Sequence, residues 1–388
     1  MSDIKIPLVK DTVNDADISS LIEWLKTSPR LTKGPVTIQF EKLWSKFFNV
    51  KYSIFVNSGS SANLLMLYSL IISGKLKNKK ILVPAISWAT DLAPVLQFGL
   101  EPILVDCNLD DLSVDINHLK ELIKTEEPSA LILVSVLGFC PNMKEVVQIC
   151  KEGGVILLED NCESLGTEFE GKKLGGFGLM SSFSLYFGHH LSTIEGGVIT
   201  TDDKEMYDVL KMLRSHGWDR DLDEEKQKEL REKCKVDEFN ALYKFYIPGF
   251  NVRSTDLQAF LGIEQLKKAD YVFKIRERNF QIYHKNLKND FCKQKVREED
   301  FISNFCYPII HPKKDEIVKA LKEGGVEVRP LISGSMGYQP MYTKIYGEKK
   351  LLNADIIHEY GMYVPNNQEM SEEDVLYVCD IINKIISE

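Results

Sequence analysis

No two of the eight cysteines in this 388-residue chain form a C-x-x-C pair. Cys107, Cys140, Cys150, Cys162, Cys234, Cys292, Cys306 and Cys379 are scattered, several of them in apolar surroundings, where a free thiol behaves as a small hydrophobe. The pattern argues against a disulfide framework or a zinc site. A long apolar run is also missing. The longest spans about residues 130–140, is broken by Ser135, and suits a buried strand rather than a bilayer span. The opening MSDIKIPLVKD has no basic stretch followed by an apolar one, so the expectation is a cytoplasmic protein with no membrane partner. Positive charge is short: 48 Lys and Arg against 57 Asp and Glu leave a formal net charge of -9. That excludes a general nucleic-acid binder, which needs a basic surface. It does not exclude small anions, because a few Arg and backbone N–H groups can hold a phosphate on an acidic protein. Internal repeats and low-complexity segments are absent.

What is present is a regular alternation. Short apolar runs at 52–57, 80–84, 102–106, 130–136, 155–159, 180–184 and 197–201 read as strands. Amphipathic stretches at 61–72, 89–98, 116–124 and 142–152 read as helices between the early ones. This order predicts βαβ units and an α/β fold with a mainly parallel sheet covered on both faces. A charged segment, 219–235, reads as a solvated helix or loop. Beyond it come a helix at 257–266, a strand near 305–310, a helix near 314–323, a strand near 326–330 and a C-terminal helix from about Glu372. The division expected is a large domain over 1–250 and a smaller C-terminal α+β domain over 251–388.

Four stretches carry chemistry. In VNSGSSANLLM a strand runs into a helix through Ser58, Gly59, Ser60 and Ser61. Free N–H groups and hydroxyls at such a helix start suit a phosphate, although serine caps are common without one. In ILLEDNCESLG an apolar strand ends in Glu159 and Asp160. An acid there can hold a protonated ring nitrogen, or simply cap a helix. In ISWAT, Trp88 follows a strand and can stack on a flat ligand or pack in the core. In SSFSLYFGHHLSTIEGGVIT, Ser184 precedes adjacent His189 and His190, a pair that is more often unremarkable than catalytic.

The order of these motifs resembles the DegT/DnrJ/EryC/StrS group of sugar aminotransferases. The resemblance runs over nearly the whole chain. It includes Gly34-Pro35 with Phe40-Glu41, the cup Ser58-Gly59-Ser60-Ser61-Ala62, the segment from Pro84 to Thr90, Asp160, Ser184 and Gly249-Phe250-Asn251-Val252-Arg253. Leu257-Gln258-Ala259 and Gly262-x-x-Gln265-Leu266 continue it. The resemblance implies an aspartate-aminotransferase-like fold and pyridoxal 5'-phosphate or pyridoxamine 5'-phosphate as cofactor. It implies that Gly59, Ser60, Ser61 and Ser184 hold the phosphate, Trp88 stacks on the ring and Asp160 faces the ring nitrogen. Glu163 stands where the aminotransferases usually have Gln. Asn251 would reach the phosphate of a neighbouring subunit, which implies a homodimer with shared sites.

The departure is at the cofactor-binding lysine, whose place His189 takes. With Glu-Asp-Asn-Cys-Glu-Ser and Ser215-His216-Gly217-Trp218, this resembles a branch of the family that removes a hydroxyl from carbon 3 of a GDP-linked 4-keto-6-deoxy sugar, with glutamate restoring the cofactor amine. That branch serves colitose synthesis, with the dideoxy sugar destined for surface polysaccharide such as the lipopolysaccharide O-antigen. Histidine cannot form the stable Schiff base that lysine forms, but its reference pKa of about 6.5 suits it to take and return a proton. His216 is placed near the site by the resemblance. Arg220, Arg253 and Arg329 can hold a pyrophosphate or a carboxylate, or serve in surface ion pairs. An iron–sulfur relative also has His for Lys, but its cysteine quartet fails here at Cys292 and Cys306. The rival expectations are a sugar 4-aminotransferase with an unusual base, a non-catalytic partner subunit, and a dehydratase for another nucleotide sugar.

Overall fold

The computed structural model describes residues 4–288 and 291–387. Twelve strands are assigned among them: β1 (Tyr52–Val56), β2 (Lys80–Pro84), β3 (Glu101–Val105), β4 (Ala130–Val134), β5 (Ile156–Asp160), β6 (Glu168–Phe169), β7 (Lys172–Lys173), β8 (Met180–Ser184), β9 (Gly197–Thr201), β10 (Tyr307–Ile310), β11 (Arg329–Pro330) and β12 (Gly361–Val364). Seven of them form one sheet in the order β1-β9-β8-β5-β4-β2-β3. β3, β2, β4, β5 and β8 run parallel to one another, and β9 is antiparallel to both β8 and β1. The fold is therefore α/β with a mostly parallel sheet, as the alternation predicts.

β2, β4 and most of β5 are apolar because both faces of the sheet are covered there. Ile81, Val83, Ile132, Val134 and Leu158 join one core, while Leu82, Leu131, Leu133 and Leu157 point to another on the opposite face. Successive strand side chains alternate sides, so a sheet buried on both needs an apolar residue at every position. A third, aromatic core packs Phe40, Trp44, Phe48, Phe55 and Phe183 around the antiparallel edge. The crossover helices return each parallel strand to the same end of the sheet. The carboxyl ends of β2, β4, β5 and β8 consequently share one rim.

Some motif residues act in the scaffold. Asp256 accepts the N–H groups of Gly34 (2.7 Å), Val36 and Thr37, and so caps the helix Pro35–Phe48. Gly262 lies against Phe40, where a Cβ would come within 2.6 Å of the ring. Glu41 accepts the Phe55 N–H and pairs with the buried Arg214 at 2.5 Å. Arg214 also donates to the Phe55 carbonyl and pairs with Asp221.

The sequence reading needs several corrections. Helices Asp15–Leu25, Pro35–Phe48, Lys204–Arg214 and Ala269–Asn286, and strand β12, are additional to it. The strand expected at 326–330 contracts to β11, because only Arg329 and Pro330 pair with β12. The charged segment forms the helix Glu224–Cys234, which Asp223 caps and which buries none of its residues. That is the solvated helix foreseen. β10, β12 and β11 make a second, antiparallel sheet. The N-terminal segment crosses to this part of the molecule: Ile6 bridges Val326, and the Asn367 amide donates to the Pro7 carbonyl.

Arg214→Ala would leave Glu41 buried without its cation. The expected cost is about 3–5 kcal/mol, read as a lower denaturant midpoint. A midpoint equal to wild type would mean that Glu41 takes up a proton or finds another partner at no cost.

Candidate active site

A cavity of about 450 Å³ opens at the shared rim. Its first wall is the turn from β1 into the helix Gly59–Ile72. Ser58 caps this helix, and its hydroxyl accepts the Ser61 N–H at 3.1 Å. The helix thus begins at Gly59, two residues earlier than the sequence reading, and the Ser61 N–H is already used. Ser58, Gly59 and Ser60 line the cavity and Ser61 does not. Gly59 is required by packing: a Cβ there would lie 2.8 Å from Ser184 Cβ and 3.1 Å from Cys162 Sγ. Only glycine lets the end of β8 close on the turn, which brings Ser184 into the same wall.

The floor is acidic. Asp160 ends β5 and is buried. Its carboxylate accepts the Asn63 amide at 2.5 Å and the Cys162 N–H at 2.9 Å. Asp91, fully buried beside it, accepts the Trp88 N–H at 3.0 Å. Burial, then the Asp160 charge, pushes the Asp91 carboxyl well above the usual carboxylate range. Glu163 accepts the Leu137 N–H at 2.8 Å, and burial pushes its carboxyl up to about 7.

Two neighbours settle the paired histidines. His190 points into the protein, where its Nε2 meets the Ser303 carbonyl at 2.8 Å. His189 lines the cavity, its ring 5.2 Å from that of Phe305. Its Nδ1 has no hydrogen-bond partner. Burial lowers its ionisation to about 4, against the opposing pull of the Cys162 backbone and Asp160. His189 is therefore a neutral imidazole at pH 7, with an unspent nitrogen. Trp88 lines the cavity while 54% exposed, so core packing does not account for it. An aromatic face at a cavity mouth is a platform for a flat ligand. No lysine or arginine is among the lining residues.

Gly59, Ser60, Trp88, Asp160, Glu163, Ser184 and His189 thus come together. Besides Ser61, five candidates lie outside the lining of this cavity within one chain. Asn251 is exposed and bridges Ser215, in a segment that also pairs Val252 with Asn57 and Arg253 with Val56. His216 has a left-handed backbone (φ 58°) and its ring is 5.1 Å from Trp218. Arg220 lies over the same Trp218 at 4.2 Å and Arg253 over it at 5.5 Å. These residues form one surface cluster. Arg329 is exposed and paired with Glu327 at 2.5 Å, the ordinary ion pair. Sequence reasoning missed Asn63, Asp91, Cys162 and Phe305. Asn63 was findable: it stands four residues after Gly59, one helical turn on, and faces the same way. Phe305 carries no such signal, because it arrives from the far end of the chain.

A seven-stranded sheet of this order, with a helix start, an aspartate and an exposed indole at its carboxyl rim, defines a protein of the aspartate-aminotransferase fold. Residues 12–383 match the DegT/DnrJ/EryC1/StrS aminotransferase family, and the chain belongs to it. A GDP-4-keto-6-deoxy-D-mannose 3-dehydratase of Yersinia pseudotuberculosis is 34% identical, over 98% of this chain and 99% of that one. The solved Escherichia coli enzyme of that activity, with bound hydrated PLP, superposes with a TM-score of 0.89 at 33% identity, covering 98% of this chain and all of the other. A further structure of such a dehydratase, with a trapped PLP-glutamate geminal diamine, has a TM-score of 0.89 at 33% identity and covers 97% of this chain and 100% of its own. No helix among the described residues is long and apolar enough to cross a membrane.

A histidine that ionises at about 4 when folded and about 6.5 when unfolded takes a proton more readily in the unfolded chain. Its contribution to stability is complete above pH about 6.5 and is lost as pH falls toward about 4. His190 acts in the same direction. His189→Asn should flatten the fall in denaturant midpoint across that window. An unaltered slope would show that the folded imidazole ionises normally.

Proposed function

We propose that this chain is a nucleotide-sugar 3-dehydratase that uses pyridoxal 5'-phosphate and its amine form, with GDP-4-keto-6-deoxymannose as substrate and glutamate as amino donor. The observation that carries the reading is His189: a neutral imidazole with an unpartnered Nδ1 stands in a cavity lined by no lysine. Without a lining amine, no side chain there can form a Schiff base or return an amine to a sugar by that route.

The residues present fit the cofactor. The turn at Ser58, Gly59 and Ser60, with Ser184 closed against it, suits a phosphate at a helix start. Asp160 is an anion held by two N–H donors and suits a ring nitrogen. Trp88 offers a face, and Glu163 lies at the same floor. When bound, the cofactor supplies an electron sink. His189 would take a proton at its free Nδ1 and return it to the departing hydroxyl. A base of low pKa suits the second half of this task, because its conjugate acid gives the proton up readily. Asn251 is proposed to complete the site of a partner subunit in a homodimer, and His216, Arg220 and Arg253 to meet the sugar nucleotide there. Arg329, held by Glu327, is the weakest of the substrate-binding candidates. Residues 1–250 and 251–388 are proposed as the two domains, and the product as a cytoplasmic precursor of surface polysaccharide.

The test is the mass of the sugar product after incubation with pyridoxal phosphate, glutamate and GDP-4-keto-6-deoxymannose. Loss of one oxygen with release of ammonia is expected; gain of an amine at carbon 4 would overturn the proposal in favour of an aminotransferase. His189→Asn should lower the deoxygenation rate by about 100- to 10,000-fold while leaving cofactor binding measurable. Full activity in that variant would remove His189 from the reaction.

A further inference from the structure

Two buried carboxyl groups meet at the cavity floor, and among the described residues no lysine or arginine lines the cavity beside them. Asp91 is fully buried and Asp160 nearly so. Asp91 lies within hydrogen-bonding reach of Asp160. The ionisable groups acting on the pair are Glu163, His189 and Cys162. None of these is a lysine or arginine, and no lysine or arginine is among the residues that line the cavity.

The hydrogen bonds around the pair are specific. Ser182 donates its hydroxyl to Asn63 Oδ1 at 2.5 Å, which turns the Asn63 NH₂ toward the acids. That NH₂ reaches Asp160 Oδ2 at 2.5 Å and Asp91 Oδ1 at 3.2 Å. Backbone N–H groups take the other two oxygens: Cys162 on Asp160 Oδ1 and Trp88 on Asp91 Oδ2. Two adjacent buried carboxylates cannot both ionise at low dielectric without a cation. Asp160 has the stronger donors, at 2.5 and 2.9 Å, and Asp91 the weaker, at 3.0 and 3.2 Å. The charge therefore belongs on Asp160 and the proton on Asp91.

We propose that Asp91 is a positioning residue, a neutral carboxylic acid that donates a hydrogen bond to the Asp160 carboxylate while its other oxygen anchors the backbone of Trp88. The part of this that concerns the cofactor rests on the proposed use of pyridoxal phosphate. One group then serves two cofactor contacts. Its donated hydrogen bond occupies one lone pair of the Asp160 carboxylate and fixes the orientation of that carboxylate toward a ring nitrogen. Its accepted bond holds Trp88 at the start of its helix, which fixes the indole at the cavity mouth. The sequence reading passes over Asp91 because an acid three residues after a helix cap is the ordinary capping arrangement.

The experiment has two readouts. The first is the infrared difference spectrum between wild type and Asp91→Asn at pH 7, without cofactor. Loss of a protonated-carboxyl band is expected; absence of that loss would overturn the proposal. This readout does not depend on the reaction, so it survives if the dehydratase reading fails. The second is the affinity for pyridoxal phosphate, followed by its absorbance. Asp91→Ala should weaken binding by about tenfold, the scale of one hydrogen bond to a charged group. Asp91→Asn, which keeps a donor and an acceptor, should restore most of that loss. Equal weakening by both variants would overturn the positioning role.

Discussion

A lone negative charge held inside the protein, on Asp160, is the constraint around which the site is arranged. An ionised carboxylate in the interior is costly unless donors surround it. Here the donors come from three places. The Cys162 N–H comes from the turn after β5, the Asn63 amide from the helix after β1, and the third proton is assigned to Asp91. Asn63 reaches Asp160 only because that helix lies against β8, and it lies there only because Gly59 has no side chain. The charge, the helix start and Ser184 are thus parts of one packing solution. A change at any of them is felt at the others.

The same burial that isolates Asp160 acts in the opposite sense on His189. Desolvation favours a neutral imidazole, while the nearby carboxylate favours a charged one; the first effect dominates. His189 is left as a proton acceptor with one free nitrogen, beside an anion that can steady the imidazolium once formed. His190, one residue on, shows what the site is not. It spends Nε2 on the Ser303 carbonyl and lies sealed in the core. Adjacent identical side chains therefore have separate tasks, because the backbone between them turns one toward the cavity and one away.

The surface cluster of His216, Trp218, Arg220 and Arg253 has a different character. Its cations rest on aromatic faces, and the Arg220 guanidinium also donates to the Leu242 carbonyl. A guanidinium has five N–H donors, so one that stacks on a ring and bonds one carbonyl still has donors to offer a ligand. The segment Asn251–Arg253 that carries part of this cluster also pairs with the end of β1 and with Asn57. The strand that feeds the proposed phosphate cup and the segment proposed to serve a partner subunit are thereby joined.

Much of this was legible in the residues alone. Apolar runs of strand length spaced by amphipathic stretches determine the mostly parallel sheet, since each run can be buried only between layers of helices. The rim residues Gly59, Trp88, Asp160, Ser184 and His189 were legible too, because the ends of such strands are where an open α/β sheet binds its ligands. The helices Pro35–Phe48 and Ala269–Asn286 were not legible, since their faces are defined by partners remote in the chain. The resemblance picks His189 over His190, but the physical cause of their difference was not legible, because it depends on the Ser303 carbonyl more than a hundred residues away. The state of Asp91 lies beyond any local pattern: an acid at that helix position is ordinarily ionised, and it is Asp160, brought alongside from another strand, that makes one charge the limit. The sequence by itself determined which chemical groups the site has; the tertiary structure decided which of them are charged and which face the cavity, because burial and the company of distant residues set both.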